Sequence, residues 1–129
     1  MKIEFNTSKP IYEQVIDEIK RQIARGEIEP NDKLPSQREL AEEIEVNPNT
    51  VQRAYREMEN QNLVETKRGR GTFVKDDDKV IKDINQQLAH SAVKRFIDEM
   101  SAINYQQKEM IELLKNELEG RTYNEQNSN

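Results

Sequence analysis

The chain has 129 residues, 33% apolar and only 5% aromatic, with a formal net charge of −5; a chain of this size and polarity builds one or two small units with little core apiece, and a second copy is expected to supply the missing burial. It has no cysteine and one histidine, His90, which excludes disulfides, cysteine-ligated zinc and thiol catalysis, so no metal site and no cofactor are expected. No run of about 18 apolar residues is present to cross a membrane and the first residues lack a signal peptide's apolar stretch, so the expected setting is the cytoplasm, with no membrane partner.

The charge is unevenly spread. Residues 1–75 carry 13 Lys/Arg against 14 Asp/Glu, whereas residues 76–129 carry 7 against 11. The segment Lys67–Lys75 holds Lys67, Arg68, Arg70 and Lys75 with no acidic residue. A polyanion responds to such a local patch more than to the net charge.

In chain order, Ile3 and Phe5 alternate as in a short strand or packed arm. Pro10 opens a helix whose apolar stripe is Tyr12, Val15, Ile16, Ile19 and Ile23, ending at Gly26. Gly26 to Pro35 reads as a loop turning at Pro30-Asn31-Asp32, with Ile28 and Leu34 as apolar pins. Ser36 and Glu39 have the spacing of a reciprocal capping box, which predicts a short helix bearing Leu40, Ala41 and Ile44. Val46-Asn47-Pro48 closes that helix and opens the next, with Asn47 as cap and Pro48 in the first turn. On this second helix Val51, Ala54, Tyr55 and Met58 share one side; Tyr55, like Tyr12, is expected in the core. Asn49, Gln52, Arg53, Arg56 and Asn60 share the other side, a face able to bond base edges and phosphates.

Val64–Thr66 and Thr72–Val74 read as strands joined by the basic, glycine-containing turn Lys67-Arg68-Gly69-Arg70-Gly71. Two short helices followed by a basic hairpin is the order of a winged helix-turn-helix, whose second helix enters a major groove while the wing follows the adjacent backbone or minor groove. The expected fold is therefore mainly α with a small β-wing, an N-terminal winged helix-turn-helix followed by a two-helix C-terminal dimerisation segment.

Four stretches carry a family resemblance: Pro-Ile-Tyr-Glu-Gln-Val at 10–15, Leu-Pro-Ser-Gln-Arg-Glu-Leu-Ala at 34–41, Val-Asn-Pro-Asn-Thr-Val-Gln-Arg-Ala-Tyr at 46–55 and Gly-Arg-Gly-Thr-Phe-Val at 69–74. In this order and spacing they resemble the GntR-type bacterial transcription regulators, and most closely their short YtrA-like branch. The resemblance covers about residues 8–75. It implies that Arg38, beside the Ser36 cap, meets a DNA phosphate, that Asn47, Pro48, Asn49 and Thr50 begin the recognition helix, and that Gly71 lets the wing approach. It also implies control of a nearby transporter operon. The chain departs from many relatives at Pro48 and Gln52, where they carry Arg, so two guanine readers are missing and their base preference does not transfer. The expected DNA-binding set adds Gln52, Arg53, Arg56 and the wing residues Lys67, Arg68, Gly69, Arg70 and Thr72. Arg38 has an alternative partner in Glu42, four residues on.

After residue 75, Asp76-Asp77-Asp78 suits a helix start, and Ile81, Ile84, Leu88, Ala92, Phe96 and Met100 form a broad stripe. Ile84, Leu88, Val93, Phe96, Met100, Ile103, Met110 and Leu114 are the expected dimerisation residues. One long coiled-coil helix competes with a hairpin broken at Ser101–Ile103 and recapped by Asn104 with Gln107; the hairpin is preferred. Gly120 is expected to end the last helix. The domains are then 1–75 for DNA binding, 76–120 for dimerisation, and a disordered tail at 121–129. So short a segment has no room for a pocket within one copy, and an effector of unknown identity would sit between copies.

No phosphate loop, nucleophile-base pair or paired carboxylates point to an enzyme. The expected function is a sequence-specific transcription regulator, a repressor, binding a palindromic double-stranded DNA operator as a homodimer. The rival is a protein-interaction adaptor that uses the acidic helical tail and keeps the winged helix as a scaffold.

Overall fold

The computed structural model describes residues 1–127. Among them the order is α1 (Ile11–Ala24), α2 (Gln37–Ile44), α3 (Pro48–Asn60), β1 (Val64–Lys67), β2 (Gly71–Val74), α4 (Asp78–Ala102) and α5 (Gln107–Asn127). The chain divides into two units, Met1–Gln87 and Leu88–Asn129.

The first unit is organised by α3. Its buried side, Val51, Ala54, Tyr55 and Met58, meets Val15, Ile16, Ile19 and Ile23 of α1 and Leu40, Ala41 and Ile44 of α2 in one core. Burying a side chain of this size stabilises by roughly 1.5–3 kcal/mol. The caps form as the spacing predicts. The Glu39 N–H donates to Ser36 Oγ at 3.1 Å and the Ser36 N–H donates to Glu39 Oε1 at 3.3 Å. Asn47 Oδ1 accepts from the Asn49 N–H at 2.8 Å, with Pro48 in the first turn of α3. The turn between α2 and α3 is tightened by Glu45 in the left-handed region, φ 57°. Gln14 is buried and clasps the preceding arm: its amide donates to the carbonyls of Asn6 at 2.9 Å and Lys9 at 2.7 Å.

β1 and β2 pair antiparallel with Val64 opposite Val74 and Lys67 opposite Gly71. The segment Asn31–Leu34, expected as plain loop, is in fact a third ribbon along β2. The Asn31 N–H donates to the Val74 carbonyl at 2.9 Å, the Val74 N–H to Asp32 O at 2.9 Å, and the Leu34 N–H to Thr72 O at 2.8 Å. The edge of β2 would otherwise present unpaired donors and acceptors, and this segment satisfies them.

Asp77 Oδ1 accepts from the N–H groups of Lys79 and Val80 at 3.1 and 3.3 Å and so caps α4. The first turns of α4 belong to the first unit, which runs on past residue 75 to Gln87. Ile84 is the cause: it is 4% exposed within one chain. Ile84, one of the expected dimerisation residues, therefore has most of its apolar surface covered within one chain.

In the second unit the segment is two helices, not one. The break lies at Ile103–Gln106. Asn104, expected as a cap for the next helix, instead closes α4, with φ 67° and its N–H on the Ser101 carbonyl at 3.0 Å. The Gln106 N–H donates to Glu109 Oε1 at 3.0 Å at the start of α5. Two further expectations are corrected. Gly120 does not end α5, and residues 121–127 are helical rather than disordered; a lone glycine costs a helix only about 1 kcal/mol, and no proline follows it. The remainder of the expected disordered tail, 128–129, lies outside the described residues. Among the dimerisation residues, Leu88, Phe96, Met100 and Met110 are half-buried, and Val93, Ile103 and Leu114 are exposed. The latter share the surface with Ile97, Ile111 and Leu118, which are not in the expected dimerisation set.

Candidate nucleic-acid interface

Tyr55, on the buried side of α3, donates its hydroxyl to the Pro35 carbonyl at 2.5 Å and so ties the middle of α3 to the lead-in of α2, and the starts of both helices border one cleft. Burial, with the carboxylates of Glu39 and Glu43 nearby, pushes the Tyr55 hydroxyl pKa well above its ordinary value, so it is a fixed donor. The wing closes the third side. The result is an open cleft of about 810 Å³. Ser36, Gln37, Arg38 and Glu39 come from α2 and its cap, Pro48, Asn49 and Gln52 from α3, and Thr66, Lys67, Gly69, Arg70, Gly71 and Thr72 from the wing. Lys33 and Leu34 complete the wall.

Ten of the fifteen residues singled out from the sequence line this cleft: Ser36, Arg38, Pro48, Asn49, Gln52, Lys67, Gly69, Arg70, Gly71 and Thr72. Arg38 is exposed, and no ion pair joins it to Glu42 among the described residues. Glu39, the acidic residue of the wall, has one carboxylate oxygen committed to the Ser36 N–H.

The other five stand elsewhere. Asn47 spends its side-chain oxygen as the cap of α3, and Thr50 is half-buried behind it. Arg68 is exposed on the wing turn, which the Arg70 N–H closes on the Lys67 carbonyl at 2.8 Å with Gly69 at φ 75°. Arg53 lies with its guanidinium 4.0 Å from the ring centroid of Tyr12, which is half-buried rather than core. Arg56 is exposed outside the cleft wall. The face read off α3 thus splits into Asn49 and Gln52 at the cleft, and the two arginines toward its flank.

Within the wing Lys67 is partly engaged, 3.6 Å from Glu65 and over the Phe73 ring at 4.8 Å. Reading the sequence missed Lys33, Gln37 and Thr66 in the cleft wall. Gln37 and Thr66 adjoin residues that were singled out, and Lys33 was hidden by treating residues 26–35 as a loop.

The cleft has cationic walls framed by a capped helix-turn-helix and a basic hairpin, and the stretch that builds it, residues 11–74, matches the family described as bacterial regulatory proteins, gntR family. The regulator YhcF of Bacillus subtilis is 41% identical over 117 residues, 91% of this chain and 97% of that protein. The chain belongs to the GntR family. The repressor YtrA of Bacillus subtilis is 48% identical over 79 residues, 61% of each chain. A GntR family transcriptional regulator from Listeria monocytogenes superposes with a TM-score of 0.78 at 39% identity, covering 87% of this chain and 98% of that one. The DNA-binding domain of AraR in complex with an operator superposes with a TM-score of 0.51 at 31% identity, covering 57% of this chain and 94% of that one. The chain is thus a winged-helix transcription regulator of the YtrA-like kind rather than an enzyme. No helix of the described residues is long and apolar enough to cross a membrane.

Proposed function

We propose that the protein is a cytoplasmic repressor that occupies an inverted-repeat operator as a homodimer. The observation that carries this reading is the cleft itself, where Arg38, Asn49, Gln52 and Arg70 come from three separate elements yet line one concave wall. Asn49 and Gln52 have the amide geometry to bond adenine N6 and N7 together. Arg38, Arg68 and Arg70 meet phosphates and set register. Arg53, held against Tyr12, and Arg56 extend the phosphate contacts along the flank. The repressor name of YtrA and the operator complex of the AraR domain support the sign and the ligand.

The second unit supports the dimer. Val93, Ile97, Ile103, Ile111, Leu114 and Leu118 all stand exposed there, and a cluster of large exposed apolar side chains marks an interaction surface. Two-fold pairing would place two recognition helices on half-sites one helical turn, about 34 Å, or a multiple apart. An effector would act at the interface between copies.

Selection of bound fragments from genomic DNA tests the reading. An inverted repeat should emerge, bound by two chains, with log affinity falling against log salt at about 0.9 per phosphate neutralised. Absence of salt-sensitive affinity for any duplex would refute it, and a mass of one chain at micromolar concentration in light scattering would refute the dimer.

A further inference from the structure

We infer that Lys33 is a further DNA-contact residue, a phosphate clamp built into the base of the wing by the third ribbon; the inference rests on the DNA-binding reading above. Lys33 lies outside the helix-turn-helix and outside the β1–β2 hairpin. Its position is nonetheless fixed, because its residue bridges Phe73 of β2 and its neighbour Leu34 donates to Thr72.

The side chain runs across Gly71. A Cβ built on that glycine would lie 2.7 Å from Lys33 Cε and 3.5 Å from Nζ. Gly71 is required by its backbone φ of 119°, and its missing side chain also leaves the surface over which the Lys33 stem lies. The stem covers backbone while the ammonium stays in the cleft wall with Arg38 and Arg70, as long cationic side chains do at wet surfaces.

What separates Lys33 from an ordinary surface lysine is its charge balance. Among the described residues no carboxylate pairs with it. The acids that line the neighbouring clefts make other contacts: Asp32 accepts from the Glu29 N–H at 2.8 Å, Glu39 from the Ser36 N–H, Glu27 pairs with Arg25 and Glu43 with the N-terminus. Lys67 across the same wall shares its charge with Glu65. Lys33 is thus a cation without an ion-pair partner among the described residues, its stem lying across Gly71 in the cleft wall, where a backbone phosphate would supply the counter-charge. A lysine there acts as a point charge and carries no base preference.

The test compares the full-length protein with Lys33→Gln and Lys33→Arg on two probes: a labelled mixed-sequence duplex about two helical turns long, and the fragment bound most tightly in the genomic selection. Lys33→Gln should weaken both by the same several-fold factor and lower the salt slope by about 0.9, one phosphate's worth, with an unchanged melting temperature. Lys33→Arg should restore both. Binding and slope equal to the parent protein's in Lys33→Gln would overturn the inference while leaving the DNA-binding reading intact. Loss confined to the selected fragment would also overturn it, by making Lys33 a base reader. A parent protein with no salt-sensitive binding to either probe would sink both readings together.

Discussion

Helices α3 and α5 both carry apolar side chains at helical spacing, gathered to one side far more sharply on α3 than on α5, and they end in opposite states. On α3, Val51, Ala54, Tyr55 and Met58 are all buried, because α1 and α2 flank the stripe and fill its gaps. On α5 none of the described side chains is buried, although Met110, Ile111, Leu114 and Leu118 lie on one side. The difference lies in company as well as in pattern. An apolar stripe is a demand for a neighbour; the first unit meets it within the chain, whereas in the second unit it stays exposed, which is the surface the proposed dimer would cover.

The sharpest way to break that contrast is to remove one apolar side chain from each helix. Met58→Ala should cost about 2–5 kcal/mol in the urea unfolding transition of the first unit. Leu114→Ala should change that transition by less than about 0.5 kcal/mol and instead raise the concentration at which the assembled mass appears in light scattering. Equal losses in the first transition would mean that α5 is as much a part of that core as α3, and the division of labour would fall.

The polar side of α3 gives the next largest effect. Gln52→Ala should cost about 1–3 kcal/mol on the selected operator and relax the preference at a single base pair per half-site. Arg53→Ala should weaken selected and unrelated duplexes alike, because its guanidinium sits over Tyr12 at the flank. A binding-site selection repeated with each variant checks this, and a shifted sequence preference for Arg53→Ala would move that residue back among the readers.

How much of this was legible in advance follows the range of the interactions. The capping box at Ser36 and Glu39, the Asn47 cap and the wing turn are local chemistry, written within four residues, and they form as the spacing predicts. Ile84 and Lys33 were missed because their partners are distant in sequence. Nothing near Ile84 announces that the first unit will bury it, and nothing near Lys33 announces a bridge to Phe73 forty residues on. The broad apolar stripe of the tail is harder to assign for a different reason. From Ile84 through Leu88, Ala92 and Phe96 to Met100 the apolar residues step by four, and each step turns about 40° farther round the helix. A drifting stripe of this kind serves one neighbour near its start and another near its end, so a single seam drawn through it mixes the two.

Tyr55 sharpens the contrast through pH. Its hydroxyl pKa is raised in the folded state by burial and by the nearby Glu39 and Glu43 carboxylates. The folded chain therefore holds a proton that the unfolded chain releases above about pH 10, and stability is complete below that pH and is lost as pH rises through the interval up to the folded value. Tyr55→Phe should cost about 1 kcal/mol at neutral pH, from the lost bond to Pro35, and should flatten the alkaline decline of the first unit's melting temperature. An unaltered decline would assign it to other groups.

The smallest effect compares the two interhelical turns directly. Both place a non-glycine residue in the left-handed region: Glu45 at φ 57° between α2 and α3, and Asn104 at φ 67° after α4. Asparagine tolerates that conformation because its short side chain bonds locally, whereas glutamate meets the steric cost of about 1–2 kcal/mol that ordinary residues carry there. Glu45→Asn should therefore stabilise the first unit, by about 0.5–1 kcal/mol, and Asn104→Ala should destabilise the second by a similar amount. Asparagine is the better replacement at 45, since glycine would relieve more strain but return part of the gain as unfolded-chain entropy. A calorimetric scan in which Glu45→Asn melts no higher than the parent would mean that Glu45 is held there by a contact worth as much as the strain it bears.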